Sequence, residues 1–256
     1  MDVLINAENR ILHITLNRPE KRNALTRQMC VAIVEAVQGA QTRADIACIL
    51  MGGNGSAFCS GMDLKEDAPV DELLKVHEEL FTLGVHSRKP IVMAVNGPAL
   101  AGGLGLVAQG HIVFATHDAS FSLPEIRLGF WPFIVYRAVE AALGARRTLQ
   151  LSLTGQSFDA EQALAWGLVH QLGNAFEVEE GSKKVATKLA RSSPLALELG
   201  MQYVQEAAGK SVEFAGEVAA SLRAKLMDSD DFREGTAAFR EKREPRWPSL
   251  KPSAGE

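Results

Sequence analysis

The sequence predicts an α/β fold that passes into a helical C-terminal region, and three observations carry that expectation. Short apolar runs alternate with longer segments of helical periodicity as far as about Tyr136. Glycine-rich, uncharged turns follow several of those runs, as loops do where they leave strand ends in α/β proteins. Beyond Tyr136 the strand signals fade and one helical segment succeeds another.

Taken in order, Ile11–Leu16 reads as a strand that stops at Asn17-Arg-Pro19, and Thr26 to about Ala40 as a helix with Met29, Ile33, Val34 and Val37 on its apolar face. A strand at Ala47–Met51 leads into the first glycine turn. Asp71 to about Ser87 is helical, Ile91–Val95 is a short buried strand, and Gly102–Gln109 is a helix of small residues. Ile112–Ala115 and Ala119–Ser122 are further strands. Helices then follow at Ala145–Leu153, Asp159–Trp166, Glu177–Ser192, Ser193–Ala208, Val212–Asp228 and Asp230–Lys242. Ser193-Pro194 is a strong start signal, with serine as N-cap and proline in the first helical position. Phe214, Val218, Leu222 and Leu226 make one stripe, which suits either the core or a subunit interface. Trp247–Glu256 is expected to be a loose tail.

The 256 residues, 46% of them hydrophobic, suffice for a sizeable core. A formal net charge of -4 gives no electrostatic reason to expect a nucleic-acid partner. Cys30, Cys48 and Cys59 have neither metal-ligand spacing nor a Cys-x-x-Cys pair, which fits a reducing compartment. The N-terminus has no secretory or mitochondrial leader pattern, so a cytoplasmic location is expected. The uncharged stretch Pro90–His117 is long enough for a membrane span, but Asn96-Gly97-Pro98, Gly102, Gly103 and Gly105 would interrupt a lipid-facing helix. No membrane partner is expected.

Chemistry is concentrated in two turns, Ser56-Ala-Phe-Cys-Ser-Gly-Met-Asp-Leu64 and Ala94-Val-Asn-Gly-Pro-Ala-Leu-Ala-Gly-Gly-Leu-Gly105, and in Ser122-Leu-Pro-Glu-Ile-Arg-Leu-Gly129. Glycines let backbone N–H groups approach a substrate oxygen, and donors oriented in advance stabilise the charge that develops there. Two such turns with one carboxylate, Glu125, suit proton transfer beside a thioester carbonyl.

These segments, with Leu16-Asn-Arg-Pro-Glu-Lys-Arg-Asn-Ala-Leu25, Leu153-Thr-Gly155, Ala163-Leu-Ala-Trp-Gly-Leu168 and Phe239-Arg-Glu-Lys-Arg243, resemble the enoyl-CoA hydratase/isomerase (crotonase) superfamily over almost the whole chain. The resemblance implies a spiral of ββα units holding an acyl-CoA site over residues 1–192. It also implies a helical region, residues 193–256, that trimerises, often into a dimer of trimers, and closes the CoA site. Carried over by position, the N–H groups of Met62 and Gly102 form the oxyanion hole and Glu125 is the catalytic carboxylate. Lys21, Arg22 and Ala24 would lie along the CoA nucleotide, with Phe239 and Lys242 reaching it from a neighbouring subunit. Ser60, Gly61, Asp63, Leu64, Gly103, Gly105, Trp131 and Phe133 would line the rest of the substrate site. Coenzyme A is part of the substrate, and no separate cofactor or metal is implied.

One departure bears on the reaction. Family hydratases generally use two glutamates, and where the first should stand this chain has Gly105, which can neither accept a proton nor orient water. Leu128-Gly-Phe-Trp-Pro-Phe-Ile-Val-Tyr136 also replaces the usual glycine-rich turn and is similar to the corresponding run of one-glutamate isomerases. Its aromatics are either core packing or an acyl-pocket wall. A single carboxylate suffices to convert 3-enoyl-CoA to 2-enoyl-CoA, and burial among Leu123, Ile126 and Trp131 should raise the pKa of Glu125. The alternatives are a 2-enoyl-CoA hydratase, a non-catalytic acyl-CoA-binding protein, and, for Glu125 itself, a surface glutamate paired with Arg127. Cys59 has no histidine nearby in sequence to activate it. His77 and His86 fall on roughly opposite sides of one expected helix and do not suggest a metal pair. Glu66-Asp67 and Asp71-Glu72 form a solvated face, or a second acid if their segment folds inward.

Overall fold

The computed structural model describes residues 1–66 and 69–250, so Asp67 and the end of the expected tail lie outside it. A hairpin opens the chain: β1 (Val3–Glu8) and β2 (Ile11–Leu16) pair antiparallel through Asn9 and Arg10, both at positive φ as a two-residue hairpin turn requires. Then come α1 (Arg27–Gln41), β3 (Cys48–Gly53), α2 (Val70–Leu80), α3 (Leu83–His86), β4 (Ile91–Val95), β5 (Ala99–Leu100), α4 (Gly102–Val107), β6 (Ile112–Thr116) and β7 (Ser120–Ser122). The remainder comprises α5 (Phe133–Leu143), α6 (Ala145–Thr154), β8 (Phe158–Asp159), α7 (Ala160–Ala165), β9 (Gln171–Gly173), α8 (Ala175–Ala190), α9 (Pro194–Ala207), α10 (Val212–Met227) and α11 (Asp230–Glu241).

Six strands form one sheet in the order β1-β2-β3-β4-β6-β9, parallel from β2 onward, and β5-β7-β8 form a second, smaller sheet. The large sheet is covered on both faces, as parallel sheets require. Alternation along its strands sends Ile14, Ile49, Met51, Ile91, Met93 and Val95 into the main core with α1, and Ile11, Cys48, Leu50, Val92 and Phe114 against Val178, Ala186 and Ala190 of α8. Thr26 caps α1 by accepting the Met29 N–H at 3.2 Å, and Ser193 caps α9 by accepting the Ala196 N–H at 3.0 Å. The uncharged Pro90–His117 stretch folds as β4, β5, α4 and β6, and no helix among the described residues is long and apolar enough to cross a membrane.

Several expectations need correction. The helix expected over Asp71–Ser87 breaks after Leu80, where the Thr82 hydroxyl donates to the Glu78 carbonyl at 2.8 Å and competes with the helical ladder. His77 and His86 therefore belong to different helices. Strands continue past Tyr136 as β8 and β9, each too short to show a periodicity, and α5 starts directly after Pro132 inside the aromatic run. β1 escapes pattern reading because only its first residue is buried. No α10 residue is buried within the chain, so its apolar stripe is not part of this chain's core. Nor is Trp247–Leu250 loose. Trp247 Nε1 donates to the Arg191 carbonyl at 2.7 Å, and the backbone N–H and hydroxyl of Ser249 donate to the Asp231 carboxylate at 2.8 and 2.6 Å.

Candidate active site

Strand register brings the three chemical segments together. Cys59 makes a parallel bridge with Ala99 of β5, and β5 pairs parallel with β7 as Ala99 with Phe121 and Leu100 with Ser122. Because all three run in the same direction, the residues after each of them emerge at one edge: Gly61-Met62, Ala101-Gly102 and Leu123-Pro124-Glu125. Leu25 closes the other side through a parallel bridge to Met62.

That bridge uses the residues flanking Met62. The Leu25 N–H donates to the Gly61 carbonyl and the Asp63 N–H to the Leu25 carbonyl, each at 2.8 Å, so the Met62 N–H has no protein acceptor among the described residues. Gly102 opens α4, where a first-turn N–H has no helical partner, and it too has none here. The two donors are close. A β-carbon on Gly61 would lie 2.9 Å from Ala101 Cβ and 3.5 Å from the Gly102 nitrogen, and one on Gly103 would lie 2.2 Å from the Cys59 carbonyl oxygen. Only backbone without side chains can approach so tightly. Gly61 is at φ +94, and Ala101, at φ 51 and ψ -120, holds a strained conformation where β5 turns into α4.

Glu125 sits in a short helical turn, Pro124–Leu128, that ends at Gly129 in the left-handed region. It is 7% exposed, and its Oε2 is buried without a hydrogen-bond partner among the described residues. Burial pushes the carboxyl above the usual glutamate range, opposed in part by its own backbone N–H. The pairing with Arg127 does not form: no ion pair to Glu125 is present among the described residues, and the Arg127 side chain packs toward Gly155 instead.

Gly105 is not an empty position. A β-carbon there would stand 2.9 Å from Cδ1 and Cε1 of Phe81 and from Cγ1 of Val135, both buried. Phe81 Cζ also comes within 3.2 Å of where a Gly102 β-carbon would be. Sequence reasoning misses Phe81 because it lies in a segment with no motif, far from either glycine.

Asn23 is missed as well. Fully buried at φ 53, it donates through Nδ2 to the carbonyls of Asn54, Ala57 and Phe58 at 2.9, 2.9 and 3.0 Å, and its Oδ1 accepts the Arg18 N–H at 2.8 Å. It thereby ties the 18–25 loop to the first glycine turn; its only sequence signal is membership of the Arg22-Asn-Ala24 motif. Arg18 adds bonds at 2.8 Å to the Ala24 carbonyl and 3.0 Å to Asp63. The Asp63 carboxyl is held below the usual range by the Lys65 N–H first and Arg18 second. Its carboxylate thus braces the loop.

Lys21 and Arg22 are exposed and Ala24 half-buried on the loop beside Ser60, whose N–H donates to the Arg22 carbonyl at 3.0 Å. Met62 and Leu64 expose apolar side chains there, as do Ile126, Leu128, Phe130 and Phe133 in the segment after Glu125. Phe133, 70% exposed, meets Phe130 edge-on and is not core, while half-buried Trp131 stacks on Tyr136. Phe239, 85% exposed, and Lys242 lie at the end of α11, with no hydrogen bond or ion pair to these loops among the described residues. Cys59 is fully buried and its thiol is pushed up to about 12, which removes it as a nucleophile at neutral pH. Among the described acidic residues, Glu66 accepts the Arg27 N–H at 2.8 Å, Glu72 pairs with the Arg27 guanidinium at 2.8 Å and Asp71 is exposed, so none of the three is turned into the site; Asp67 lies outside the described residues.

A buried carboxylate beside two unpartnered backbone donors can move a proton while an enolate oxygen is held. Comparison with known proteins gives this geometry its context. Residues 6–250 match the family model for enoyl-CoA hydratase/isomerase. Mevalonyl-coenzyme A hydratase sidH of Aspergillus fumigatus is 35% identical over 249 residues, 93% of this chain and 91% of that protein. The 1,2-epoxyphenylacetyl-CoA isomerase of Escherichia coli is 28% identical over 259 residues, 96% and 97% of the two chains. The crystal structure of an enoyl-CoA hydratase from Mycobacterium smegmatis superposes with a TM-score of 0.90 at 25% identity, over 96% of this chain and 99% of that one. Hydratases and isomerases alike are among its relatives, and on that coverage and identity the chain belongs to the enoyl-CoA hydratase/isomerase family, whose members are enzymes acting on acyl-CoA thioesters.

Proposed function

We propose that this enzyme isomerises 3-enoyl-CoA to 2-enoyl-CoA with Glu125 as its single proton carrier. The observation that carries the reading is the crowding at Gly105, where even a β-carbon would stand 2.9 Å from Phe81 and Val135, so a second carboxylate side chain would fit only by displacing them. Glu125 removes a proton from C2, the N–H groups of Met62 and Gly102 hold the dienolate oxygen, and the same acid returns the proton at C4. The double bond moves from C3–C4 to C2–C3 with no net gain or loss of atoms. Burial that raises the Glu125 pKa makes its carboxylate the stronger base for the first step.

In this reading Lys21, Arg22 and Ala24 follow the CoA nucleotide, and Phe239 and Lys242 reach it from a neighbouring subunit of a trimer or dimer of trimers. The exposed apolar residues of α10, among them Val212 and Phe214, support such self-association. A second reading, water addition to 2-enoyl-CoA, is favoured by the similarity to the mevalonyl-coenzyme A hydratase of Aspergillus fumigatus. Turnover of matched 3-enoyl-CoA and 2-enoyl-CoA substrates, with products separated, decides between them. Conversion of the 3-enoyl substrate alone, lost in Glu125→Gln, is the expected result; dominant formation of 3-hydroxyacyl-CoA would overturn the isomerase reading.

A further inference from the structure

We infer that Phe81, at the end of α2, determines which reaction this site performs: its ring holds the space a carboxylate would need to take a proton from water as the water oxygen adds to C3. The inference rests on the isomerase reading but assigns the choice to a side chain remote in sequence from both glycine turns.

Three distances place Phe81 there. Its Cδ1 and Cε1 would lie 2.9 Å from a β-carbon built on Gly105, and its Cζ 3.2 Å from one built on Gly102, so the ring lies across the start of α4 beneath a proposed oxyanion donor. Leu25, whose strand bridge flanks Met62, comes within 3.6 Å of the same Gly102 position. The ring is also backed from behind. His77, one helical turn earlier and buried, packs tilted on it with centroids 6.0 Å apart, and the Phe81 carbonyl accepts from Gln109 Nε2 at 2.7 Å. Phe81 is thus held from both its side chain and its backbone.

The consequence is specific. If glycine at position 105 alone excluded water addition, restoring a carboxylate there would restore it. With the ring in place, Gly105→Glu has no rotamer free of Phe81 or Val135. Phe81→Ala alone opens a hollow lined mainly by apolar groups, which holds water poorly for want of polar partners. Only the pair supplies both space and carboxylate, because the atoms leaving with the ring outnumber those a glutamate adds and the one remaining close contact, Val135 Cγ1, is a side-chain methyl that can give way into the vacated space. The two substitutions should therefore be strongly non-additive.

The test measures both activities, isomerisation of 3-enoyl-CoA and hydration of 2-enoyl-CoA, in wild type, Gly105→Glu, Phe81→Ala and Phe81→Ala/Gly105→Glu. Hydration in the double variant is expected to exceed that of either single variant by about a hundredfold, the lower end of what a positioned acid–base group contributes. A merely structural role for Phe81 would lower both activities and create neither. Equal hydration by Gly105→Glu alone and by the double variant would overturn the inference. So would a folded double variant, still isomerising, that adds no water. Should the double variant not fold, Phe81→Ala/Gly105→Asp replaces it: the shorter acid needs less of the vacated space and should give hydration absent from wild type and from Gly105→Asp, and equal hydration by Gly105→Asp alone, or none in the folded pair, would overturn the inference. Wild type that hydrates 2-enoyl-CoA faster than it isomerises would refute the isomerase reading directly, and with it the exclusion assigned to Phe81.

Discussion

Gly103→Ala tests the site's geometry with the smallest possible change. The added carbon would sit 2.2 Å from the Cys59 carbonyl oxygen and 2.9 Å from its carbonyl carbon, against an ordinary contact of at least 3.4 Å. Both obstacles are backbone, so no rotamer relieves them; the 59–62 turn and the start of α4 must separate by about 1 Å. These two elements carry the Met62 and Gly102 donors, and a displacement of that size is worth about a hundredfold in rate. Complete loss of one oxyanion donor costs about 2.7 to 4 kcal/mol, which bounds the effect from above. Overpacking should also cost about 1–3 kcal/mol of stability. Gly39→Ala provides the control, since a β-carbon there meets nothing within 4 Å in the last turn of α1, and it should stabilise by about 0.4–1 kcal/mol. The assays are kcat for 3-enoyl-CoA conversion and urea unfolding. Wild-type kcat in Gly103→Ala with unchanged stability would refute the claim that close backbone approach builds the site.

Asn23→Ala removes the amide's two N–H donors, shared among three carbonyls, and the oxygen that accepts the Arg18 N–H, and leaves alanine at φ 53; counted as three bonds at about 1 kcal/mol each, a loss of roughly 3 kcal/mol in urea unfolding is expected, and less than about 1 kcal/mol would contradict the bracing role. Glu125→Gln should cost activity about a thousandfold yet stabilise the protein at pH 8. A carboxyl raised in the folded state binds its proton more tightly there than when unfolded, so its burial penalty is absent below the unfolded value of about 4.3 and grows as pH rises through the folded value. A thermal-unfolding advantage of the glutamine variant that does not grow between pH 4 and pH 8 would count against this. Asp231 shows the opposite sign. Burial pushes its carboxyl up, but hydrogen bonds from Ser193 and Ser249 outweigh it and hold the group low, so the stability it confers is present above the unfolded value near 3.9 and lost as pH falls through the folded value. Asp231→Ala should therefore release Trp247–Leu250, seen as faster amide exchange at Ser249, and cost about 3 kcal/mol at pH 7 with a smaller difference below pH 4.

Much of this protein is legible without coordinates because it is local. The apolar faces of α1, β2 and β3, the Ser193-Pro194 start of α9, the glycine turns and Glu125 all declare themselves within a few residues, and the chain of motifs points to the family. Other features are illegible for the complementary reason. β5, β8 and β9 are two or three residues long and exist only as pairings with distant strands, and Thr82 ends α2 through its own hydroxyl rather than through a proline or glycine. Gly105 reveals a missing carboxylate, but whether its place stands open is decided by Phe81, and the grip of Asn23 on the first turn by Phe58. Periodicity and motif record what each residue does to its neighbours along the chain; the space beside Gly105 is bounded by Phe81 and Val135, which approach from either side in sequence, and only packing in three dimensions brings those atoms into contact.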